Sequence, residues 1–152
     1  MINIKQIKDL RAKTGLSIAA CRQALEAALG DELKALAWLK SDSERLAAKK
    51  GERTLGAGVI ASYVHSNHQL GTILELCSET DFVAKNEDFR SLANDLAMQV
   101  SATSPADTAE LLAQPFIKDS GQTISDLIKS QIQKFGERIE LGRFARFEIR
   151  ND

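Results

Sequence analysis

GVIASYVHSNHQLGTILELC, residues 58–77, is the stretch of the chain that decides its fold class. Two short runs rich in β-branched residues stand on either side of SNHQ, and such residues are typical of strands. SNHQ has the length and composition of a hairpin turn. The segment therefore predicts two antiparallel strands, in which His65 lies near Leu70 and Cys77 lies opposite the far end of the first strand.

Helical periodicity follows the predicted hairpin. Apolar residues recur at helical spacing in NEDFRSLANDLAMQV, residues 86–100, and Pro105 should stop that helix soon afterwards. A second helix is predicted from the apolar residues between Ile124 and Phe135, with its end near Gly136. This region thus predicts two helices that pack on one side of a sheet.

The last run of the chain, ERIELGRFARFEIR at residues 137–150, predicts a third strand. Alternation places its apolar residues on one face, namely Ile139, Leu141, Ala145, Phe147 and Ile149. Arg143 interrupts that face, which indicates a β-bulge at Gly142.

The first forty residues indicate three short helices with recognisable ends. Asn3, Ser17 and Asp31 are the predicted N-caps, Gln6 completes a capping box with Asn3, and Gly15 should end the first helix. The apolar positions that should close a small core are Ile18, Cys21, Leu25, Ala28 and Leu29 in the second helix, and Leu33, Leu36, Ala37, Trp38 and Leu39 in the third.

SDSERLAAKKGERT, residues 41–54, separates these helices from the hairpin. Ser41 and Glu44 have capping-box spacing and Gly51 interrupts the stretch, so a short helix and a linker are predicted. The chain is therefore predicted to be an α+β protein with two domains. Residues 1–50 form a three-helix domain with a linker helix, and residues 51–152 form a core of three antiparallel strands packed with helices.

Composition narrows the classes of function. The 152 residues carry 20 Lys and Arg against 21 Asp and Glu, so the sequence offers no basic field for nucleic acid. No apolar run approaches the length of a membrane span, and MINIKQIKDL resembles neither a signal peptide nor a transit peptide. The chain is expected to be cytoplasmic, with a protein or a small molecule as its partner.

Groups suited to catalysis or metal binding are few. GERTLGAG, residues 51–58, has glycines at phosphate-loop spacing, but its last two residues stand where that motif requires Lys and Ser or Thr. His65 and His68 share the predicted turn without a third ligand, and Cys21 and Cys77 lie far apart. These observations argue against a metal site and against hydrolytic chemistry.

SETDFVAKNEDF, residues 78–89, permits two interpretations. Ser78 and Asp81 have capping-box spacing while Cys77 and Phe82 occupy the positions of a hydrophobic staple, so the segment can simply start a helix. Alternatively, the adjacent Asp81 and Phe82 enter another molecule. Periodicity alone favours the helix start, because capping signatures are common.

Three stretches of the chain resemble bacterial elongation factor Ts, the family of nucleotide exchange factors that act on the translation GTPase elongation factor Tu. IKDLRAKTGLSIAACRQALEAALGDELKALAWLK, residues 7–40, is similar to the ubiquitin-associated-like N-terminal domain of that family. Residues 46–89 carry its most specific motif, TDFVAKN at 80–86, and residues 114–150 resemble its closing helix and strand. The likeness covers nearly the whole chain in the expected order.

The resemblance implies that seven residues bind elongation factor Tu: Thr80, Asp81, Phe82, Val83, Ala84, Lys85 and Asn86. Asp81 and Phe82 are implied to enter the GTPase beside its nucleotide and Mg²⁺, so that GDP leaves and GTP can replace it. Because the family acts by binding, the resemblance implies a protein that is not an enzyme and that has no catalytic residue, no metal site and no cofactor. Because longer members carry two core subdomains in one chain, the resemblance implies a homodimer of this short form, through an exposed strand edge of the core.

Some positions depart from the family pattern. Ile18, Ala19 and Ala20 stand where the family has a Met pair followed by an acidic residue, and the hairpin turn lacks the usual Gly-rich, basic character. Residues 101–113 replace a longer insertion. Two other functions stay open: a polypeptide-binding adaptor that uses the three-helix domain, and an enzyme that uses a histidine of the hairpin turn.

Overall fold

The computed structural model describes residues 1–150, which contain seven helices and five strands. In chain order they are α1 (Ile4–Thr14), α2 (Ile18–Ala27), α3 (Glu32–Lys50), β1 (Ala57–Val64), β2 (Leu70–Ser78), α4 (Asp81–Ala84), α5 (Glu87–Thr103), α6 (Thr108–Ala113), β3 (Pro115–Phe116), β4 (Asp119–Thr123), α7 (Ile124–Phe135) and β5 (Glu140–Glu148). The predicted α+β class is confirmed.

Contacts between Cα atoms divide the chain into two compact units. The first consists of Met1–Glu52 and Lys129–Gly136, and the second consists of Arg53–Ile128 and the described residues from 137 onward. The division passes through α7, whose first residues belong to the second unit. The domain boundary predicted after residue 50 stays a prediction.

Side-chain caps start the helices of the first unit where the sequence predicts them. Asn3 Oδ1 accepts a hydrogen bond from the Gln6 amide and Gln6 Oε1 accepts one from the Asn3 amide, both at 2.9 Å, which completes the capping box. Ser17 and Asp31 cap α2 and α3 through their side-chain oxygens. Gly15 ends α1 in the left-handed conformation with a φ of +70°.

A small apolar core joins α1, α2 and α3. Trp38 packs against it half-buried, in agreement with its predicted place in the core. The buried members of this core are Leu10, Leu16, Cys21, Ala24, Leu25, Ala28, Ala35 and Leu39.

Four predicted core positions are wrong, because Ile18, Leu29, Leu33 and Ala37 are exposed. Leu29 lies beyond the end of α2 with a left-handed φ of +53°, so its side chain leaves the helical stripe. Ile18 and Leu33 lie in the first turns of their helices, and Ala37 lies about half a turn around α3 from the buried Ala35.

Helix α3 runs without a break to Lys50, so the predicted new start at Ser41 is wrong. Leu39, Ser43 and Leu46 follow one another at helical spacing, and each is buried or half-buried. Because this covered face continues past Ser41, the backbone stays helical and the capping-box spacing has no helix end to cap.

The second unit contains a three-stranded antiparallel sheet in the predicted arrangement, with the order β1-β2-β5. The His65 amide donates to the Leu70 carbonyl at 2.9 Å and Gly58 pairs with Cys77, which confirms the predicted register of the hairpin. Helix α5 packs on one face of the sheet. The buried residues on this face and on α5 include Ala61, Leu74, Leu76, Phe89, Leu92, Ala93, Leu96, Ala97 and Val100.

A bulge in β5 changes which of its residues face the core. The bulge predicted near Gly142 is confirmed by a shift in the pairing of β5 with β2 opposite Glu75. An extra residue inverts the alternation of side chains, so residues beyond the bulge exchange faces. Leu141 faces the core, whereas Ala145 and Phe147 lie on the opposite face. The predicted single apolar face is therefore wrong beyond residue 142.

Three short elements between α5 and α7 have no counterpart in the sequence prediction. They are α6 and the hairpin strands β3 and β4. Gln99 holds this hairpin, because its buried amide donates to the Pro115 carbonyl at 3.0 Å and accepts from the Ile117 amide at 2.9 Å. Strands of two and five residues are too short to show an apolar alternation in sequence.

Gly58 lies where β1 closely approaches β2, and an added Cβ would stand 2.6 Å from the Leu76 carbonyl oxygen. We expect Gly58→Ala to lower the free energy of unfolding by about 1–3 kcal/mol, because the two backbones must move apart. Gly56→Ala is the control, since its Cβ would meet the Glu79 carbonyl oxygen at an ordinary 3.6 Å. Urea denaturation measures both variants, and equal stability of the two would contradict this account.

Candidate functional site

The 80–86 segment joins β2 to α5 and contains the four-residue helix α4. Thr80 caps α4, since its Oγ1 accepts a hydrogen bond from the Val83 amide at 3.4 Å. The predicted cap, Ser78, is instead the buried last residue of β2, where it pairs with Ala57. The helix therefore starts two residues later than the predicted capping box requires.

Phe82 is 87% exposed, so the predicted staple with Cys77 is wrong. Asp81, which precedes it in the first turn of α4, is also exposed. A phenyl ring gains about 1.5–3 kcal/mol when it leaves water, and this ring does not make that gain within the chain. Asp81 and Phe82 thus form an exposed pair with the chemistry of a contact surface, one charge beside one large apolar group.

The other residues of the 80–86 segment differ in exposure. Val83 and Ala84 are 5% and 4% exposed and belong to the core of the second unit. Asn86 caps α5, because its Oδ1 accepts from the Asp88 amide at 2.8 Å, and Lys85 is exposed. The structure therefore presents five of the seven predicted residues at the surface: Thr80, Asp81, Phe82, Lys85 and Asn86.

Glu137, which the sequence analysis did not single out, holds the start of this segment. Its Oε1 accepts hydrogen bonds from the amides of Glu79 and Thr80 at 3.1 and 3.0 Å, and its Oε2 accepts one from Thr80 Oγ1 at 2.7 Å. Thr80 and Glu137 are 57 residues apart in the chain. A contact at this separation leaves no local pattern that a search for caps or periodicity could detect.

Glu79 makes the reciprocal connection. Its Oε1 accepts from the Arg138 amide at 2.9 Å and lies 3.6 Å from Arg53 Nη1. The Arg138 side chain donates to the Arg53 carbonyl at 2.6 Å and also pairs with Glu140. Each of the two chain segments thus supplies a glutamate to the backbone of the other, and we call Glu79 and Glu137 the glutamate clamp.

The sheet face opposite α5 is apolar and exposed. Its large side chains are about half exposed or more, and they come from the three strands and the residue after β5: Ile60, Val64, Ile73, Phe147 and Ile149. We call this surface the outer sheet face. Because monomeric proteins rarely leave large contiguous apolar patches in water, it is a candidate interaction surface.

An ion pair borders the outer sheet face. Arg143 Nε donates to Glu75 Oε1 at 2.5 Å, and Arg143 Nη2 donates to Glu75 Oε2 at 3.3 Å. These hydrogen bonds hold the pKa of the Glu75 carboxyl below its ordinary value. On the same strand, burial raises the pKa of the Cys77 thiol, which makes that thiol less reactive than an exposed cysteine.

Other kinds of site lack the groups they need within residues 1–150. No three His, Cys, Asp or Glu side chains of this range come together in a way that could hold a metal ion. His65 Nδ1 lies 3.0 Å from the Tyr63 hydroxyl, and His68 occupies the hairpin turn with a φ of +57°. Among the described helices, none has the length and apolar character to cross a membrane.

Proteins of one family are similar to this chain. A family model described as Elongation factor TS matches residues 79–152, which include the 80–86 segment and both members of the glutamate clamp. Elongation factor Ts of Oleidesulfovibrio alaskensis is 36% identical over 97% of this chain and 98% of its own length. The chain belongs to the elongation factor Ts family. Elongation factor Ts of Desulforamulus reducens is 35% identical over 97% of this chain and 89% of its own, and that of Moorella thermoacetica is 34% identical over 98% and 96%.

Membership of the elongation factor Ts family makes this chain a translation elongation factor. The alignments with these three relatives extend over 193 or 194 positions, whereas the chain has 152 residues. The related elongation factor Ts proteins therefore contain residues that have no counterpart here.

The contact between Glu75 and Arg143 predicts a titration. In Arg143→Gln the pKa of Glu75 should rise toward its ordinary value, because the guanidinium hydrogen bonds are lost. Since the folded-state pKa lies below the unfolded value, the pair stabilises the fold above the unfolded pKa, and this contribution is lost as the pH falls through the folded pKa. NMR titration of the Glu75 carboxyl carbon measures the shift, with Arg45→Gln, which removes the arginine that pairs with Asp42, as the control. Identical Glu75 titrations in wild type and Arg143→Gln would contradict the prediction.

Proposed function

We propose that this protein binds elongation factor Tu carrying GDP and promotes release of the nucleotide, so that GTP can enter. The observation that carries the proposal is the exposure of Phe82, which is 87% exposed beside the exposed Asp81, on a helix start that hydrogen bonds hold in place. In the proposal these two side chains enter the GTPase near its nucleotide and Mg²⁺. Membership of the elongation factor Ts family supports this role.

Energies indicate that the ring does not act alone. Burial of Phe82 against the GTPase would contribute about 1.5–3 kcal/mol. Faster GDP release by about a thousandfold requires about 4 kcal/mol, at about 1.36 kcal/mol for each factor of ten. The remainder must come from weakened Mg²⁺ contacts and from binding elsewhere on the chain. Exposed apolar side chains of the first unit, among them Ile4, Ile18 and Leu33, are suited to such a second contact.

Asp81 brings a negative charge to the site that the proposal assigns to it. A carboxylate is an oxygen ligand of the kind that Mg²⁺ takes, and it repels the phosphates of GDP. Both effects weaken the binding of GDP to elongation factor Tu. Linkage then requires that GDP weaken the binding of this protein by the same factor, so an incoming nucleotide releases the exchange factor.

The proposal assigns different roles to the seven residues of the 80–86 segment. Val83 and Ala84 are buried and anchor the segment, while the five exposed residues contact elongation factor Tu. Exchange by this route needs no catalytic group, metal or cofactor from this chain, and neither nucleic acid nor a membrane. We place the protein in the cytoplasm, where translation takes place.

Phe82→Ala should lower the maximal rate of GDP release from elongation factor Tu by at least about tenfold, since the lost burial is about 1.5–3 kcal/mol. Stopped-flow fluorescence of labelled GDP, recorded over a series of factor concentrations, measures this rate. Ile117→Ala is the control, because Ile117 is another exposed apolar residue of the second unit and lies outside the 80–86 segment. Full activity of Phe82→Ala, or no acceleration of GDP release by the wild type, would contradict the proposal.

We also propose that the protein forms a homodimer through its core domain, with the outer sheet face as the contact. Two sheets packed face to face bury apolar side chains between them, as in a β-sandwich. A twofold axis would place the same patch on both sides of the contact. The exposed apolar groups lie on the face of the sheet, so they favour this contact over the strand edge that the resemblance implied.

Phe147→Asp should convert this dimer into a monomer, because an unpaired carboxylate buried in an apolar contact costs several kcal/mol. Light scattering after size-exclusion chromatography should give twice the mass of one chain for the wild type. Phe82→Asp is the matched control, since it places the same charge on another exposed phenylalanine and should leave the dimer intact. A monomeric wild type would exclude the dimer.

A further inference from the structure

Helix α4 is too short to hold its own direction. It has four residues, whereas isolated helices shorter than about 12 residues are marginal in water. The direction in which its first residues point must therefore come from groups outside the helix. Val83 and Ala84 supply packing on the buried side, but Asp81 and Phe82 are exposed, so packing does not restrain them directly.

Hydrogen bonds accepted by Glu137 act on Thr80, the residue immediately before this exposed pair. The carboxylate accepts from the Glu79 amide, the Thr80 amide and the Thr80 hydroxyl, at distances from 2.7 to 3.1 Å. Such bonds to an ionised carboxylate are stronger than neutral ones. Both amides precede α4, so the carboxylate fixes the path of the backbone into the helix.

The Thr80 hydroxyl connects Glu137 to the first turn of α4 through two hydrogen bonds. Its proton is directed to Glu137 Oε2, which leaves the oxygen lone pairs free to accept from the Val83 amide at 3.4 Å. The contact with Glu137 and the cap of the helix thus share one hydroxyl group. Phe82 lies between the two residues that this hydroxyl connects, so loss of Glu137 frees the turn that presents the ring.

The second half of the clamp restrains Glu137 itself. The Arg138 amide, on the next residue, donates to Glu79 Oε1 at 2.9 Å, and Arg53 lies near the same oxygen. The segments around residues 79 and 137 are therefore joined in both directions. Rotation of one segment against the other would break hydrogen bonds at both glutamates.

We infer that Glu137 is a positioning residue for nucleotide exchange, which acts by setting the direction of Asp81 and Phe82 before they meet elongation factor Tu. The inference rests on the proposed function and adds a residue that lies far from the 80–86 segment in sequence. If the direction of the ring is fixed before binding, its insertion costs little conformational entropy. A ring on a mobile turn must instead be ordered during binding, at a larger entropic cost. In this role Glu137 acts on the exchange rate through Phe82 and needs no contact of its own with the GTPase.

Glu137→Ala in the full chain tests the inference by the same fluorescent GDP assay. We expect the maximal rate of GDP release to fall about tenfold, the effect of losing charge-assisted hydrogen bonds. Glu148→Ala is the matched control and should keep the wild-type rate. It removes another glutamate of the second unit, whose partner is Arg146 and not the 80–86 segment. Glu137→Gln, which keeps one acceptor oxygen, should give an intermediate rate and serves as the test variant if the alanine variant does not fold.

A double variant distinguishes positioning from a general loss of structure. If Glu137 acts through Phe82, then Glu137→Ala combined with Phe82→Ala should be no slower than Phe82→Ala alone, within about twofold. If Glu137 only stabilises the fold, the two losses should multiply. Amide hydrogen exchange of the free protein gives an independent readout, since protection of the Glu79 and Thr80 amides should be lost in the variant while that of the Leu74 amide in β2 stays.

The outcomes separate this inference from the proposed function. A wild type that does not accelerate GDP release overturns both. A wild type that accelerates release through Phe82 while Glu137→Ala is equally fast overturns the role of Glu137 alone. Multiplying effects in the double variant also overturn it, because they assign to Glu137 a purely structural part.

Discussion

The alternation of side chains along β2 is the constraint on which the second unit depends. This central strand turns Leu74 and Leu76 toward α5 and leaves Ile73 and Glu75 on the outer sheet face. A shift of one residue would exchange the two sets, so the pairing on both sides fixes the register. The same alternation buries Ser78 at the end of the strand and sets the point at which the chain turns toward the 80–86 segment.

Local signals in the sequence explain why so many elements could be predicted. Capping groups such as Asn3 and Gln6 act within one turn, and the hairpin turn acts within four residues. Which residue caps α4, however, depends on the pairing of strands and not on the local sequence. Ser78 and Thr80 both carry a hydroxyl that can start a helix, but pairing with Ala57 draws Ser78 into the sheet. Only Thr80 is then free to cap α4, and the staple that depended on Ser78 is lost with it.

Contacts between distant segments account for what the sequence did not reveal. The bulge near Gly142 follows from the interruption at Arg143, but its effect on Ala145 and Phe147 depends on counting through the pairing with β2. Periodicity likewise marks Leu33 as apolar without saying whether a neighbouring helix covers it. The glutamate clamp is the extreme case, since neither Glu79 nor Glu137 differs from an ordinary surface glutamate until the fold brings them together.

The 80–86 segment separates the groups that hold its shape from the groups that remain free. Val83 and Ala84 supply the buried area, and Thr80 with Glu137 supplies the hydrogen bonds. Because these contacts suffice to end the strand and start the helix, Phe82 is not needed as a staple and its ring can stay in water. An exposed phenylalanine is unfavourable for an isolated chain, since burial would be worth about 1.5–3 kcal/mol. Burial of Phe82 therefore contributes nothing to the stability of the isolated chain. The same burial can contribute to binding when the surface of another molecule covers the ring.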